Sequence, residues 1–95
     1  MSLIDEEAFK EMLGQAESGN TEPQLKLGDC YRVGHRLGFD MPLIDGIEPC
    51  IYWYQKAAEQ GNKNAQRNLY KHYQMGIATD VDKEKAEYWR RKYAE

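Results

Sequence analysis

Apolar positions recur along this chain at helical spacing in five successive segments. Ala8, Phe9, Met12, Leu13 and Ala16 form one stripe over residues 5–18, and Gly19 follows where a helix C-terminal glycine is wanted. Leu27, Gly28 and Tyr31 are the inward set of a second helix that ends at Gly34. Its start reads as a capping box, Thr21-x-x-Gln24, with Pro23 in the first turn, where a missing N–H costs nothing. Residues 35–45 read as a loop. Asp45-Gly46 opens a third helix, in which Pro49 is tolerable because it lies in the first turn, and Trp53, Tyr54, Ala57 and Ala58 follow before Gly61. A fourth helix, capped by Asn62 or Asn64, turns Ala65, Leu69 and Tyr73 inward and ends at Gly76. Asp80 and Asp82 open a fifth with the stripe Ala86, Trp89, Tyr93, and Arg90, Arg91 and Lys92 crowd its end, where cations complement the helix dipole. No run alternates as a strand would. Small residues at Ala8, Gly28, Cys50, Ala57, Ala65 and Ala86 let helices approach closely, and Trp53 and Trp89 fill the space between hairpins.

The segments are copies of one another. Gly19, Asn20, Gln24, Leu27, Tyr31 and Gly34 recur 42 residues later as Gly61, Asn62, Gln66, Leu69, Tyr73 and Gly76. That is six identities in sixteen positions, where chance gives about one. Glu48, Tyr52, Trp53, Lys56 and Ala58 recur at an offset of 36 as Glu84, Tyr88, Trp89, Lys92 and Ala94. The difference of six places an insertion in the first copy, between Gly34 and Gly46. Ala16-Glu17-Ser18-Gly19-Asn20 also echoes Ala58-Glu59-Gln60-Gly61-Asn62. The chain therefore divides into an N-terminal half-repeat or cap helix at 1–18, a first repeat at 19–60 with its loop insertion at 35–45, and a second repeat at 61–95.

These residues resemble the Sel-one-like repeat, a relative of the tetratricopeptide repeat. Its pattern runs A-x-x-x-L-G-x-x-Y-x-x-G, a short loop, then D-x-x-K-A-x-x-W-Y-x-K-A-A-x-x-G. Leu27, Gly28, Tyr31, Gly34, Trp53, Tyr54, Lys56, Ala57, Ala58 and Gly61 match in the first repeat. Ala65, Leu69, Tyr73, Gly76, Asp82, Lys85, Ala86, Trp89, Lys92 and Ala94 match in the second. Pro23, Tyr70, Cys50 and Tyr93 depart from the pattern, and Tyr70 in place of glycine is expected to loosen the second hairpin. The resemblance implies an all-α fold, a right-handed α/α superhelix of about five antiparallel helices, and an adaptor role in complex assembly or signalling.

By analogy with tetratricopeptide hairpins, the first helix of each pair lines a concave face. That face would present Glu22, Leu25, Lys26, Asp29, Arg32 and Val33, then Asn64, Arg67, Asn68, Lys71, Gln74 and Met75. Arg67, Asn68 and Lys71 form a polar, basic stripe suited to a carboxylate or an acidic peptide, against the plainer reading of a solvated helix face. The inserted loop is the second candidate. Leu37, Phe39, Met41, Leu43 and Ile44 make it too apolar for ordinary surface, so it either caps its own hairpin or forms a contact patch. The third is the C-terminal end, where Tyr88, Trp89 and Tyr93 have no following hairpin. The expected core is Leu27, Gly28, Tyr31, Trp53, Ala57, Leu69, Tyr73, Ala86 and Trp89.

A net charge of −3 with both signs interspersed disfavours nucleic acid and anionic lipid as partners. No run approaches the ~20 apolar residues of a membrane span. The first residues lack the basic region and apolar core of a secretory leader, so the chain reads as cytoplasmic. Cys30 and Cys50 read as reduced thiols. A disulfide joining the two helices of the first repeat is the alternative, disfavoured because Cys50 aligns with Ala86 and Cys30 with His72. His35 and His72 lie far apart in sequence, and neither they nor the cysteines have zinc spacing. Phosphate loops and nucleophile turns are missing, and the inner positions read as apolar. The expectation is a non-enzymatic, cofactor-free module that binds another protein or peptide. The alternatives are a homodimer built through the C-terminal end and an immunity or inhibitor protein that blocks one enzyme.

Overall fold

A computed structural model describes residues 6–95. Five helices follow in order: α1 (Glu6–Glu17), α2 (Thr21–Arg36), α3 (Pro49–Glu59), α4 (Lys63–Met75) and α5 (Lys83–Ala94). Each packs on its chain neighbour, α1 on α2, α2 on α3, α3 on α4 and α4 on α5. The result is an all-α solenoid of helical hairpins. Tyr54 of α3 reaches both α2 and α4, which therefore lie on the same side of it. Residues 1–5 of the N-terminal half-repeat read at 1–18 lie outside the described residues, and within α1 Ala8 is exposed rather than a packing contact.

Two clusters make the core. One gathers Cys50, Ile51, Tyr54, Ala57, Ala58, Ala65, Leu69, Tyr73, Ala86 and Trp89. The other gathers Ala16, Leu27 and Trp53, with Phe9, Met12 and Leu13 of α1 packed against it. Of the nine residues expected in the core, Tyr31 is only half-buried, and it touches both clusters.

Several boundaries differ from the sequence reading, each for a local reason. The helix α2 does not stop at Gly34. It runs two residues further, to Arg36, and the left-handed residue that follows is Gly38, whose N–H bonds His35 O while Phe39 N–H bonds Gly34 O. Asp45-Gly46 does not start a helix. Both residues have positive φ, 52° and 76°, and Ile44 and Ile47 exchange two N–H···O bonds of 2.9 Å across them. This is the two-residue hairpin turn that Asp-Gly favours, and α3 starts only at Pro49. Thr21 is no cap either. Asn20 precedes the helix without a side-chain bond, and Gln24 turns inward instead. In α4 and α5 the caps are Asn62 and Asp82, which accept from Ala65 N and Lys85 N at 2.8 and 3.0 Å.

The two hairpins fill the gap between their helices from opposite sides. In the first, Gly28 leaves room for the Tyr54 ring: a Cβ at Gly28 would lie 2.5 Å from that ring. In the second, the equivalent pair is Tyr70 and Arg90. Tyr70 supplies the ring from α4 and packs against the core cluster. The residue opposite Tyr70 is not aromatic, so the Gly28–Tyr54 arrangement has no direct counterpart in the second hairpin.

Candidate functional site

Three buried polar side chains give the repeat its internal stitching. Gln24 and Gln66 are 3% and 4% exposed. Gln24 Nε2 donates to Ala16 O at 3.0 Å, and Gln66 Nε2 donates to Ala58 O at 3.2 Å. Each ties an incoming helix to the C-terminal carbonyls of the helix before it, groups that a helix end leaves without internal partners. This explains why the Ala-Glu-x-Gly-Asn segment and a glutamine recur together. Gln24 Oε1 also accepts from Gln60 Nε2 at 2.7 Å, whereas Gln66 Oε1 is buried without a partner. The third, His72, is buried on α4, with Nδ1 2.9 Å from Ile77 O. The inner positions are thus not wholly apolar, and repeated polar identity was the signal that could have shown it.

The face shared by α2 and α4 carries most of the expected concave-face residues. Glu22, Lys26, Arg32, Val33, Asn64, Arg67, Lys71, Gln74 and Met75 are exposed, and Asn68 is half-buried. Leu25 is largely a packing residue against the core. Asp29 is half-buried and held from below: Tyr54 Oη donates to its Oδ1 at 2.5 Å, and Arg32 Nη2 lies 3.7 Å away. Burial, then the Asp29 carboxylate, raise the Tyr54 phenol well above the ordinary tyrosine value, so it stays a donor.

The inserted loop divides its apolar side chains. Met41 folds back on α2, its Cε 3.0 Å from where a Gly34 Cβ would be, and Met41 and Ile44 are half-buried. Leu37, Phe39 and Leu43 stay exposed, at 65%, 66% and 55%. The loop is therefore both a cap, through Met41 and Ile44, and an apolar surface, through the other three.

At the other end, Tyr88 and Tyr93 are exposed while Trp89 is buried. The outer face of α5 is more polar than its counterpart on α3. Ile47 and Ile51 of the first repeat correspond to Lys83 and Glu87, and Glu87 pairs with Arg90 and Arg91 at 2.6 and 3.1 Å. Those contacts, the Arg90 hydrogen bond first, hold the Glu87 carboxyl down to about 2.

His35 and His72, distant in sequence, come near enough that His35 and Arg32 both disfavour charge on His72. Burial is the larger cause and lowers the His72 value below that of a free imidazole. Its pH consequence has a definite sign. Between the lowered folded value and about 6.5 in the unfolded chain, only the unfolded state takes up the proton. Stability is therefore full above about pH 6.5 and falls as pH drops below it. Denaturant melts at pH 7.5 and 5.5 should show this loss, and His72→Gln should flatten the dependence over that window.

Little in these groups suits catalysis. Cys30 and Cys50 are unbridged, and burial raises both thiols, Cys50 to about 11, which disfavours the reactive thiolate. Among the described residues no three or more His, Cys, Asp and Glu gather as metal ligands would, and no helix is long and apolar enough to cross a membrane. A cleft of about 700 Å³ opens between the two interhelix loops beside His35, Glu48, Tyr73, Asp80 and Lys85.

A hairpin solenoid stitched by recurring glutamines has a solved counterpart. The crystal structure of a Sel1 repeat protein from Oxalobacter formigenes matches with a TM-score of 0.72 and 25% sequence identity over 92% of this chain. This chain has the Sel1-like repeat fold. The match covers 62% of the Oxalobacter chain, so the Sel1-like unit described here spans less than two thirds of that protein's length. No protein-family model matches the sequence, and no curated protein matches it either.

Proposed function

We propose that this Sel1-like chain is a non-enzymatic protein-interaction module that acts through the α2/α4 face and the adjoining loop. The observation that carries the reading is that both helices of that face end in exposed apolar side chains. Val33, Leu37 and Phe39 belong to the end of α2 and its loop, and Met75 ends α4. Isolated exposed apolar residues are ordinary, but the recurrence of exposed apolar side chains at both helix ends favours a contact surface there. Stacked helical repeats favour this use, since they make extended surfaces rather than enclosed reaction pockets. Two unbridged cysteines suit a cytoplasmic setting.

Self-association through α5 is the second reading, favoured by exposed Tyr88 and Tyr93 and opposed by Glu87 and Lys83 in the places of isoleucines. A photo-crosslinking amino acid placed at position 39 or at position 88 separates the two. Adducts to a different protein from position 39 support the module. Adducts between two copies from position 88, with none from 39, replace it with self-assembly. An inhibitor acting on one enzyme would appear as a single enzyme crosslinked at 39.

The division of the loop gives its own test. Leu37→Ser with Phe39→Ser should change stability by no more than about 0.5 kcal/mol, as exposed substitutions do. Met41→Ser should cost about 1–2 kcal/mol, less than a fully buried methionine, and lower the melting temperature by several degrees. Thermal melts of both variants check it.

A further inference from the structure

Charge is segregated in this molecule. The helices α2 and α4 hold six cations, Lys26, Arg32, Arg36, Lys63, Arg67 and Lys71, against two carboxylates, Glu22 and Asp29. That is a surplus of four in a chain of net charge −3, so everything else carries −7. The helix α4 has no acidic residue at all. Most cations elsewhere in the fold are matched: Lys10 with Glu6, Arg90 and Arg91 with Glu87, Lys56, Lys85 and Lys92 over tyrosine rings. Arg67 and Lys71 sit exposed, one helical turn apart, with no hydrogen bond or ion pair among the described residues.

Arg32 is the third available cation, and the reason lies beneath the surface. Its contact with Asp29 is loose at 3.7 Å and half-exposed on both sides. Asp29 already has a stronger partner in the Tyr54 hydroxyl. An incoming carboxylate can therefore take the guanidinium without leaving Asp29 unpaired, which avoids the cost of an orphaned acid. Arg32 also lies close enough to α4 to act electrostatically on His72. Beyond these cations the same face turns apolar at Val33, Leu37 and Met75.

We propose that the α2/α4 face binds an acidic segment of a partner protein that carries an apolar side chain at one end. Its carboxylates meet Arg67, Lys71 and Arg32, and its apolar end covers Val33, Leu37 and Met75. Tyr54 is a positioning residue: its hydroxyl holds Asp29, so that Asp29 keeps a partner when Arg32 turns to the segment. The acidic remainder of the molecule repels a long polyanion, which favours a short protein segment over nucleic acid. This inference rests on the interaction-module reading and specifies its partner.

The test is an amide NMR titration of the full chain with three probes: a twelve-residue Glu/Asp peptide ending in Leu-Phe, the same peptide with Lys for each acid, and oligo-dT of equal length. The acidic peptide should shift amides of α2 and α4, bind more weakly as salt rises, and lose about tenfold in affinity in Arg67→Glu/Lys71→Glu. Both positions are exposed, so the variant keeps its melting temperature. Tyr54→Phe should weaken the acidic peptide and make its salt dependence shallower, because Asp29 then competes for Arg32 and one charge contact is lost, and shifts at Val33 and Met75 should persist at saturation. Equal binding of the lysine peptide, tighter binding of oligo-dT, shifts confined to α1 or α5, or no shifts at all would each overturn the proposal. In the last two cases crosslinks from position 39 would still uphold the module, so the two readings fail separately.

Discussion

Trp53→Ala should remove a large share of the stability of this domain, and α1 should be the first element released. A chain of this length has about 5–14 kcal/mol of folding stability in total. Truncating a buried tryptophan costs about 3–5 kcal/mol, from lost transfer energy and the cavity left behind. Trp53 is the buried residue through which α3 joins Ala16 of α1 and Leu27 of α2, and Phe9, Met12 and Leu13 pack on that cluster. Among the described residues α1 rests chiefly on α2. With the indole gone, its apolar stripe loses the wall it leans on. Hydrogen exchange in the variant should show α1 amides losing protection before those of α3 and α4. Trp89→Ala should cost a similar amount overall but leave α1 protected, since Trp89 belongs to the other cluster. Equal protection of α1 in both variants would contradict this account.

The second large effect concerns Gly28. Gly28→Tyr should prevent stable folding, because even a Cβ there meets the Tyr54 ring at 2.5 Å. Tyr54 is fully buried and tied to Asp29, so it has nowhere to move. Overpacking by a single methylene already costs about 1–3 kcal/mol, and a whole ring exceeds that. The second repeat shows how the clash is avoided elsewhere, with Tyr70 and Arg90 at the corresponding positions. Gly28→Tyr with Tyr54→Arg should therefore fold, though less stably than the original, because Tyr54 also meets the His72 ring edge-on at 5.7 Å and that contact is lost. Urea melts should show a cooperative transition for the double variant and none for Gly28→Tyr alone, the mark of direct coupling between the two sites.

The sequence alone determined the helices, the two-fold repetition and the family likeness, for one physical reason. Helical periodicity and small-residue spacing are local properties, and repetition states them twice. Leu27, Trp53, Ala57, Leu69, Tyr73, Ala86 and Trp89 were legible as core, and all are buried. Tertiary structure decided what depends on partners distant along the chain. It turned Gln24 from a cap residue into a buried tie, and made Gln66 its counterpart, because the carbonyls they satisfy lie eight residues back across a turn. It made Asp45-Gly46 a hairpin turn, because Ile44 and Ile47 could bond each other there. It divided the inserted loop, burying Met41 against Gly34 and leaving Phe39 outside. It set the charge of the α2/α4 face, because pairing depends on which side chains meet in space, and Tyr54 rises from α3 to hold Asp29 where no spacing rule would place it.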